Sequence, residues 1–370
     1  MKKVLYISSL PKESQTGGAN AVNYHIYKQL ENYFECSYVQ INPPSSFFAK
    51  WSSKVIRKII KRPGRFDFYS AKRLNKIKSE FQAIEGDYDV IFFRGFTPWI
   101  HCEPKQPFVA YNDVHFKQFF ENTFSYKHFL EVDLERIFNS EKRWLSKANR
   151  LYFESTWGLE SCRSQYPIDK IKMRRIGRGG NVPLPLTDVY SGGMDLVIIA
   201  NNFYQKGGDL VFEAFQALKK KFPELELHVI GCKLEQAMST ANGVISYGKL
   251  NKENPDHLNR LITILSKAFL LMHPTREDTN PLVATEAGYF GCPCITVDHF
   301  ALPELVLHNE TGVLLPYLPS PEQIEIAVEH LITNKGLYLQ MRKRTWEFNH
   351  LTFSWDKIGQ ILRDDILKII

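Results

Sequence analysis

The sequence predicts an α/β protein built as two Rossmann-like domains, and three observations carry that expectation. At 370 residues the chain is long enough for two domains with full cores. Near the start, an apolar run (Val4 to Ser8) leads through a loop to a Gly17-Gly18-Ala19-Asn20 turn and a helical stretch ending near Tyr33. Strand, glycine turn and helix form the opening unit of such a domain. The same grammar restarts past the middle of the chain. Asp195 to Ala200 reads as a strand, Asn201 to Gly208 as a loop, and Asp209 as the N-cap of a helix running through Phe222.

Between these two starts the elements follow in order. Residues 35 to 42 form a strand that ends at Pro43-Pro44. In residues 51 to 65, Trp51, Val55, Ile56, Ile59 and Ile60 recur at helical spacing, with Lys54, Arg57, Lys58, Lys61 and Arg62 between them. A basic amphipathic helix of this kind can lie on an anionic membrane, or pack its apolar side on the first domain with its lysines solvated. Lys72 to Phe81 continues the helical pattern. Asp87-Tyr88-Asp89 has the D-x-D form by which some transferases hold a divalent ion. It precedes the strand Val90 to Phe93, whereas ligands bind beyond a strand's carboxyl end, so it reads as a turn and no metal is expected. Arg94-Gly95, at the far end of that strand, is better placed for a ligand. Phe108 to Tyr111 is the next strand, with Asn112-Asp113-Val114-His115 at its C-terminal edge. Helices fill 116 to 148. A strand follows at Leu151 to Phe153, and Ser155-Thr156-Trp157 caps a further helix. Residues 173 to 185, rich in glycine, proline and arginine, read as an interdomain crossover.

In the second half, Leu225 to Gly231 is a strand. Residues 243 to 249 satisfy most of a P-loop pattern, but Leu250 stands where a magnesium-binding Ser or Thr belongs. The inner residues are themselves strand-like, so a nucleotide-hydrolase reading is rejected. The chemistry concentrates in residues 271 to 304. A buried strand ends at His273-Pro274, a polar loop follows, and a helix begins with Asn280 as N-cap and Pro281 at its first position. That helix is apolar nearly all round except for Glu286, a carboxylate costly to bury unless something donates to it. A second acid, Asp278, sits eight residues earlier. The two could face a ligand resting on the helix N-terminus, whose free N–H groups and positive dipole end suit a phosphate. In the other reading, Glu286 merely pairs with a core cation such as Arg276. Pro321 to Asn334 is a helix, and the chain closes on an amphipathic helix through Ile370.

The composition is that of an ordinary soluble protein, 44% hydrophobic and 24% charged. No uncharged apolar run reaches the roughly 18 residues of a membrane span. The N-terminal MKKVLYISSLPKES reads as a first strand rather than a signal peptide. Six scattered cysteines without zinc spacing point to a reduced, cytoplasmic protein. A net charge of +7 fits an anionic ligand or membrane surface. The basic residues lack the interleaved stacking aromatics of a nucleic-acid module, so no nucleic-acid partner is expected.

The run Asp278-Thr279-Asn280-Pro281, Glu286-Ala287 and Gly291-Cys292-Pro293-Cys294-Ile295 resembles the donor-site signature of retaining glycosyltransferases of the GT-B fold, family 4. Leu302-Pro303-Glu304 and residues 312 to 315 fit the same rhythm. Here the first acid is Asp rather than Glu, and the loop glycines are missing. The resemblance implies a GT-B architecture, with residues 1–177 as an acceptor-side domain, 178–350 as the nucleotide-sugar domain, and 351–370 as a helix crossing back to the first domain across a shared cleft. It implies transfer of a hexose from a nucleoside-diphosphate sugar to a hydroxyl of a glycan or lipid-linked acceptor, with retention and without a metal or other cofactor. Relatives often carry His-Asp where this chain has Asn112-Asp113. His115 could supply the imidazole instead, or face solvent in its loop. Relatives also add an Arg where this chain has Asn201 or Gln205, which leaves Lys206 as the main phosphate ligand. The resemblance thus assigns donor contacts to Gly17, Gly18, Asn201, Lys206, Thr279, Asn280, Pro281, Leu282 and Glu286, and catalytic parts to Asp113, His115, Lys206 and Asp278. With no convincing nucleophile, front-face displacement is expected. Two other readings are a catalytically silent nucleotide-sugar or glycolipid binding module and another GT-B enzyme such as an epimerase. Localisation is expected in the cytoplasm, with 51–65 as a point of peripheral contact with the inner membrane face.

Overall fold

The computed structural model describes residues 1–44, 51 and 62–370. The chain divides into two compact units. Residues 1–14, 19–177 and 355–370 make the first; residues 15–18 and 178–354 make the second. The short stretch Gln15–Gly18 therefore belongs to the second unit, although the sequence places it with the first. Most of the basic stretch 51–65 lies outside the described residues, and of its apolar positions only Trp51, 60% exposed, is described.

The first unit is a six-stranded parallel sheet of β1 (Lys3–Ser8), β2 (Glu35–Gln40), β3 (Val90–Arg94), β4 (Phe108–Asn112), β5 (Arg150–Phe153) and β6 (Met173–Arg175), in the order β2-β1-β3-β4-β5-β6. β3 is buried at all five positions, as a central parallel strand covered on both faces must be. β6 corrects the sequence reading, which treats 173 onward as crossover. Its Met-Arg-Arg lacks an apolar run because it is an edge strand with one neighbour, β5. Trp355–Ile366 forms a helix of this unit. Gly359 lets Gln29 approach so closely that an added Cβ would lie 2.3 Å from Gln29 Oε1.

The second unit repeats the plan with β7 (Asp195–Ile199), β8 (Glu226–Ile230), β9 (Val244–Gly248), β10 (Leu270–His273), β11 (Cys294–Val297) and β12 (Gly312–Leu315), in the order β12-β11-β10-β7-β8-β9. All its pairings are parallel. Counted within the unit this is the doubly wound order 3-2-1-4-5-6, whose direction reverses between β7 and β10. The helix Leu282–Tyr289 lies against the longer helix Lys335–Thr352, which the sequence reading misses. Gly288 permits the contact, since a Cβ there would fall 2.2 Å from Asn349 Nδ2. The six cysteines are all free, and no helix among the described residues is long and apolar enough to cross a membrane.

Candidate active site

In a doubly wound sheet, ligands bind beyond the carboxyl ends of the strands at the point where the order reverses. In the second unit that point faces two loops, one after β7 and one after β10. The loops are stitched together. Gln205 O accepts from Arg276 N at 2.9 Å and from Thr275 Oγ1 at 3.2 Å. Arg276 also clamps Asp209 with two bonds of 2.8 Å, so it is committed elsewhere and is not the partner of Glu286. Asp209 is not an N-cap, because Gly207 takes that place with φ +73°. A Cβ at Gly207 would lie 2.2 Å from Pro274 O, so glycine is needed there both for its backbone angle and for the close approach of the two loops.

Lys206, directly before Gly207, reaches Asp278 Oδ2 with its Nζ at 2.6 Å, and His273 Nε2 lies 3.5 Å from the same oxygen. Burial works against ionisation of Asp278. The neighbouring His273 ring and the Lys206 ammonium outweigh it and hold the carboxyl well below the usual carboxylate range. Asp278 is therefore a permanent anion and acceptor. Thr275 Oγ1 fixes the turn by accepting from the N–H groups of Asp278 (3.0 Å) and Glu277 (3.2 Å).

The helix after this loop starts one residue later than the sequence suggests. Pro281 is its N-cap and Leu282 its first residue. Asn280 has another task. Its carbonyl and Oδ1 both accept from Arg178, at 2.7 and 2.8 Å, and that guanidinium is almost fully buried. A cation thus stands beside the helix mouth where the sequence offers none. Glu286 is wholly buried. Its Oε1 accepts from Asn181 N (2.9 Å) and Lys252 Nζ (2.5 Å), while Oε2 has no partner among the described residues. A buried acceptor left unmade costs about 1–3 kcal/mol, more when charged. Gly180 lets this turn close, because a Cβ would come within 3.0 Å of Glu286 Cγ and its N–H donates to Tyr289 Oη at 2.8 Å.

Gly17 and Gly18 lie at the same place. Gly17 has φ +83° in open space, and an added Cβ on Gly18 would touch Leu282 Cδ1 at 3.4 Å. Their segment is held by Glu253 Oε1, which accepts from Gln15 N at 2.7 Å and Thr16 Oγ1 at 3.1 Å. Asn181 Nδ2 in turn donates to Gln15 O at 3.1 Å. Thr279 is half-buried in the loop, and its carbonyl accepts from Ala301 N. Asn201 is exposed at the end of β7. The site therefore gathers Gly17, Gly18, Lys206, Asp278, Thr279, Asn280, Pro281, Leu282 and Glu286 within one unit. To these it adds Arg178, Asn181, Lys252 and His273, none of which the sequence analysis singles out as a donor contact. The arginine-rich run at 173–178 was a signal for Arg178. Lys252, in a plain polar loop, had none.

In the first unit the candidates behave differently. His115 is fully buried and does not face solvent. Its Nε2 lies 3.1 Å from Ser161 Oγ, its ring sits 4.8 Å from that of Tyr166, and burial pushes its pKa down to about 3. It is a neutral core histidine. The reason is local: His115 caps the helix Phe116–Thr123, whose Phe116 and Phe120 enter the core. Asp113 is half-buried beside it, and its carbonyl sits where a Cβ on Gly158 would be. Arg94 is turned inward, donating to Tyr111 O, Asn112 Oδ1 and Glu154 Oε1 at 3.2, 3.0 and 3.2 Å. Asp89 of the D-x-D sequence accepts from Lys3 N and Lys2 Nζ at the start of β1, in keeping with a turn.

Comparison with known proteins accords with this geometry. Residues 190–347 match the family described as glycosyl transferases group 1. Over 204 residues the chain is 27% identical to the amylovoran biosynthesis glycosyltransferase AmsK of Erwinia amylovora, covering 52% of this chain and 49% of that one. The chain spans about half the length or less of the curated relatives it matches. Among solved structures, the sucrose-phosphate synthase of Thermosynechococcus elongatus superposes over 100% of this chain and 99% of its own, with TM-score 0.70 and 14% identity. Anabaena HepE in complex with UDP superposes over 100% of both chains, with TM-score 0.66 and 15% identity. At such identities the likeness shows the fold, which is the GT-B plan of two Rossmann-like units. The likeness to the glycosyl transferases group 1 family is thus carried by residues 190–347, which lie within the second unit.

Proposed function

We propose that this protein transfers a sugar from a nucleoside-diphosphate sugar to an acceptor hydroxyl, with retention and without a catalytic metal. The observation that carries the reading is the Lys206–Asp278 pair set beside the open N-terminus of the helix Leu282–Tyr289, where the sheet order reverses. Lys206, Arg178 and the helix N–H groups would take up charge developing on the departing diphosphate. Asp278, held ionised, accepts from sugar hydroxyls. Glu286 accepts from the ribose, whose hydroxyl meets the partnerless Oε2 while Lys252 stays on Oε1. HepE binds UDP on the same fold, which favours a uridine donor. No residue here is placed as a nucleophile, and the attack is front-face, with the leaving phosphate taking the acceptor's proton. The acceptor is a glycan or a lipid-linked hydroxyl. The lipid form is supported by the part-exposed rings of Phe119 and Phe124, 5.8 Å apart in the first unit, with exposed Tyr126 and Val132 nearby in sequence. Partitioning to liposomes of anionic lipid tests that part; a protein left wholly in the supernatant removes it.

The test of the reaction is release of nucleoside diphosphate from a panel of sugar nucleotides in the presence of chelator. Release from one donor identifies it, and the anomeric configuration of the product decides retention. One observation favours a silent binding module instead: the imidazole expected of the first unit is locked in its core. Tight nucleotide binding with no release on any acceptor would establish that second reading, and absence of both binding and release would overturn the donor site.

A further inference from the structure

The opposite edge of the second sheet carries a cluster that the proposed reaction does not use. Asp195 opens β7 and Glu226 opens β8, and the two are partners in the parallel ladder. His228 follows Glu226 by two residues, so strand alternation returns its side chain to the same face. One ligand atom from each of the three lies within 4.8 Å of the others. The imidazole is 8% exposed. Its Nε2 has no hydrogen-bond partner among the described residues and points between the carboxylates, 3.3 Å from Glu226 Oε2 and 3.7 Å from Asp195 Oδ2. Its other nitrogen is engaged: Nδ1 lies 2.9 Å from Tyr247 Oη on β9, and the two rings stack at 5.7 Å. When Tyr247 Oη accepts from Nδ1–H, the imidazole lone pair is on Nε2, facing the two carboxylates. An imidazole oriented through its second nitrogen is the usual outer support of a metal-binding histidine. Two cations stand close by: Lys267 near Asp195, and Arg260, whose guanidinium lies 5.8 Å from the Tyr247 ring centroid.

We infer that Asp195, Glu226 and His228 bind one divalent transition-metal ion of the zinc class, which braces β7 to β8 at the sheet edge away from Lys206. Two carboxylate oxygens and one imidazole nitrogen make a mixed set suited to a borderline ion, with water completing the shell on the half-exposed Glu226 side. The role is structural. The ion ties the first two strands of the unit together and touches no donor contact.

The test uses untagged full-length protein, stripped with chelator and dialysed, then titrated with zinc and with cobalt. Calorimetry is expected to give about one equivalent at micromolar affinity or tighter, and thermal scanning a rise of roughly 4 °C in the transition of the second unit. Cobalt adds a visible d–d band. Glu226→Gln and His228→Ala should each abolish the band and the thermal rise, with the far-ultraviolet spectrum checking that they fold. Lys206→Ala should keep both effects. Failure of wild-type protein to bind at about 100 μM metal, or binding that persists in both Glu226→Gln and His228→Ala, overturns the site. If a variant does not fold, paramagnetic broadening by manganese of the His228 and Tyr247 ring resonances in wild-type protein decides it.

Discussion

The two units share one architecture, yet they use their charges in opposite ways. At the carboxyl edge of the first sheet, Arg94, Glu154, His115 and Glu141 are all buried, and each is held by neighbours of its own unit. At the carboxyl edge of the second, Lys206 and Asp278 keep about a fifth to a quarter of their side chains exposed beside a helix terminus. A charge sealed in a core shapes that core, whereas one left at a sheet edge is still able to exchange its partner for a ligand. The difference supports the proposal that the second unit is where an anion is handled, although both sheets have an edge of the right kind.

The largest expected effect is on turnover. Lys206→Ala removes a flexible cation of the edge and should lower kcat by about 10²–10³, as loss of a transition-state donor does, while the melting curve moves only slightly. Equal activity in the variant would break the contrast at its centre. Glu286→Ala comes next, at roughly a hundredfold in kcat/KM for loss of a charged hydrogen bond to the ribose. Glu286→Gln, which keeps one acceptor, should recover part of that.

The first unit should instead reveal itself through pH. Burial lifts the Glu141 pKa to about 7, despite donation from Thr97, the Phe116 N–H and Tyr166. Its folded pKa lies above the ordinary one, so its contribution is complete below about pH 4.5 and fades as pH rises through 7. The loss is on the order of 3 kcal/mol, and Glu141→Gln should flatten that slope in urea titrations between pH 5 and 8. His115 acts with the reverse sign, since its depressed pKa costs stability as pH falls below about 6.5. Lys252→Ala strips Glu286 of its ammonium and should destabilise the second unit by roughly 2 kcal/mol, because the lysine is itself partly solvated. The smallest change is reserved for His115→Ala, where kcat should stay within about threefold of wild type while the melting point drops. A hundredfold fall in kcat at unchanged stability would return the imidazole to catalysis.

The sequence made the central strands plain because burial on both faces leaves uninterrupted apolar runs, as in Val90–Arg94 and Leu270–His273. Edge strand Met173–Arg175 has no such run and passed for a loop. The acid pair and Lys206 were legible because their spacing around a strand end and a helix start is local. Arg178 and Lys252 were not, since they meet Asn280 and Glu286 from residues 102 and 34 positions away. Asn280 misled for a related reason: a capping residue type was present, but Arg178 had already claimed its side chain. His115 misled because nothing in a short polar sequence shows that the helix behind it turns inward.

The discontinuity of the first unit bears on how the protein is made. As the ribosome emits residues 1–177, the sheet of that unit can form, but its last helix is still unwritten. Until residues 355–370 emerge, Asp365 cannot meet Arg150 and Arg174, Trp355 cannot stack on His25, and the groove beside Gly359 stays open. The nascent first unit must wait, unfinished, through the synthesis of the entire second one. Loss of residues 355–370 would therefore damage the unit built mainly from the first 177 residues, far away in sequence.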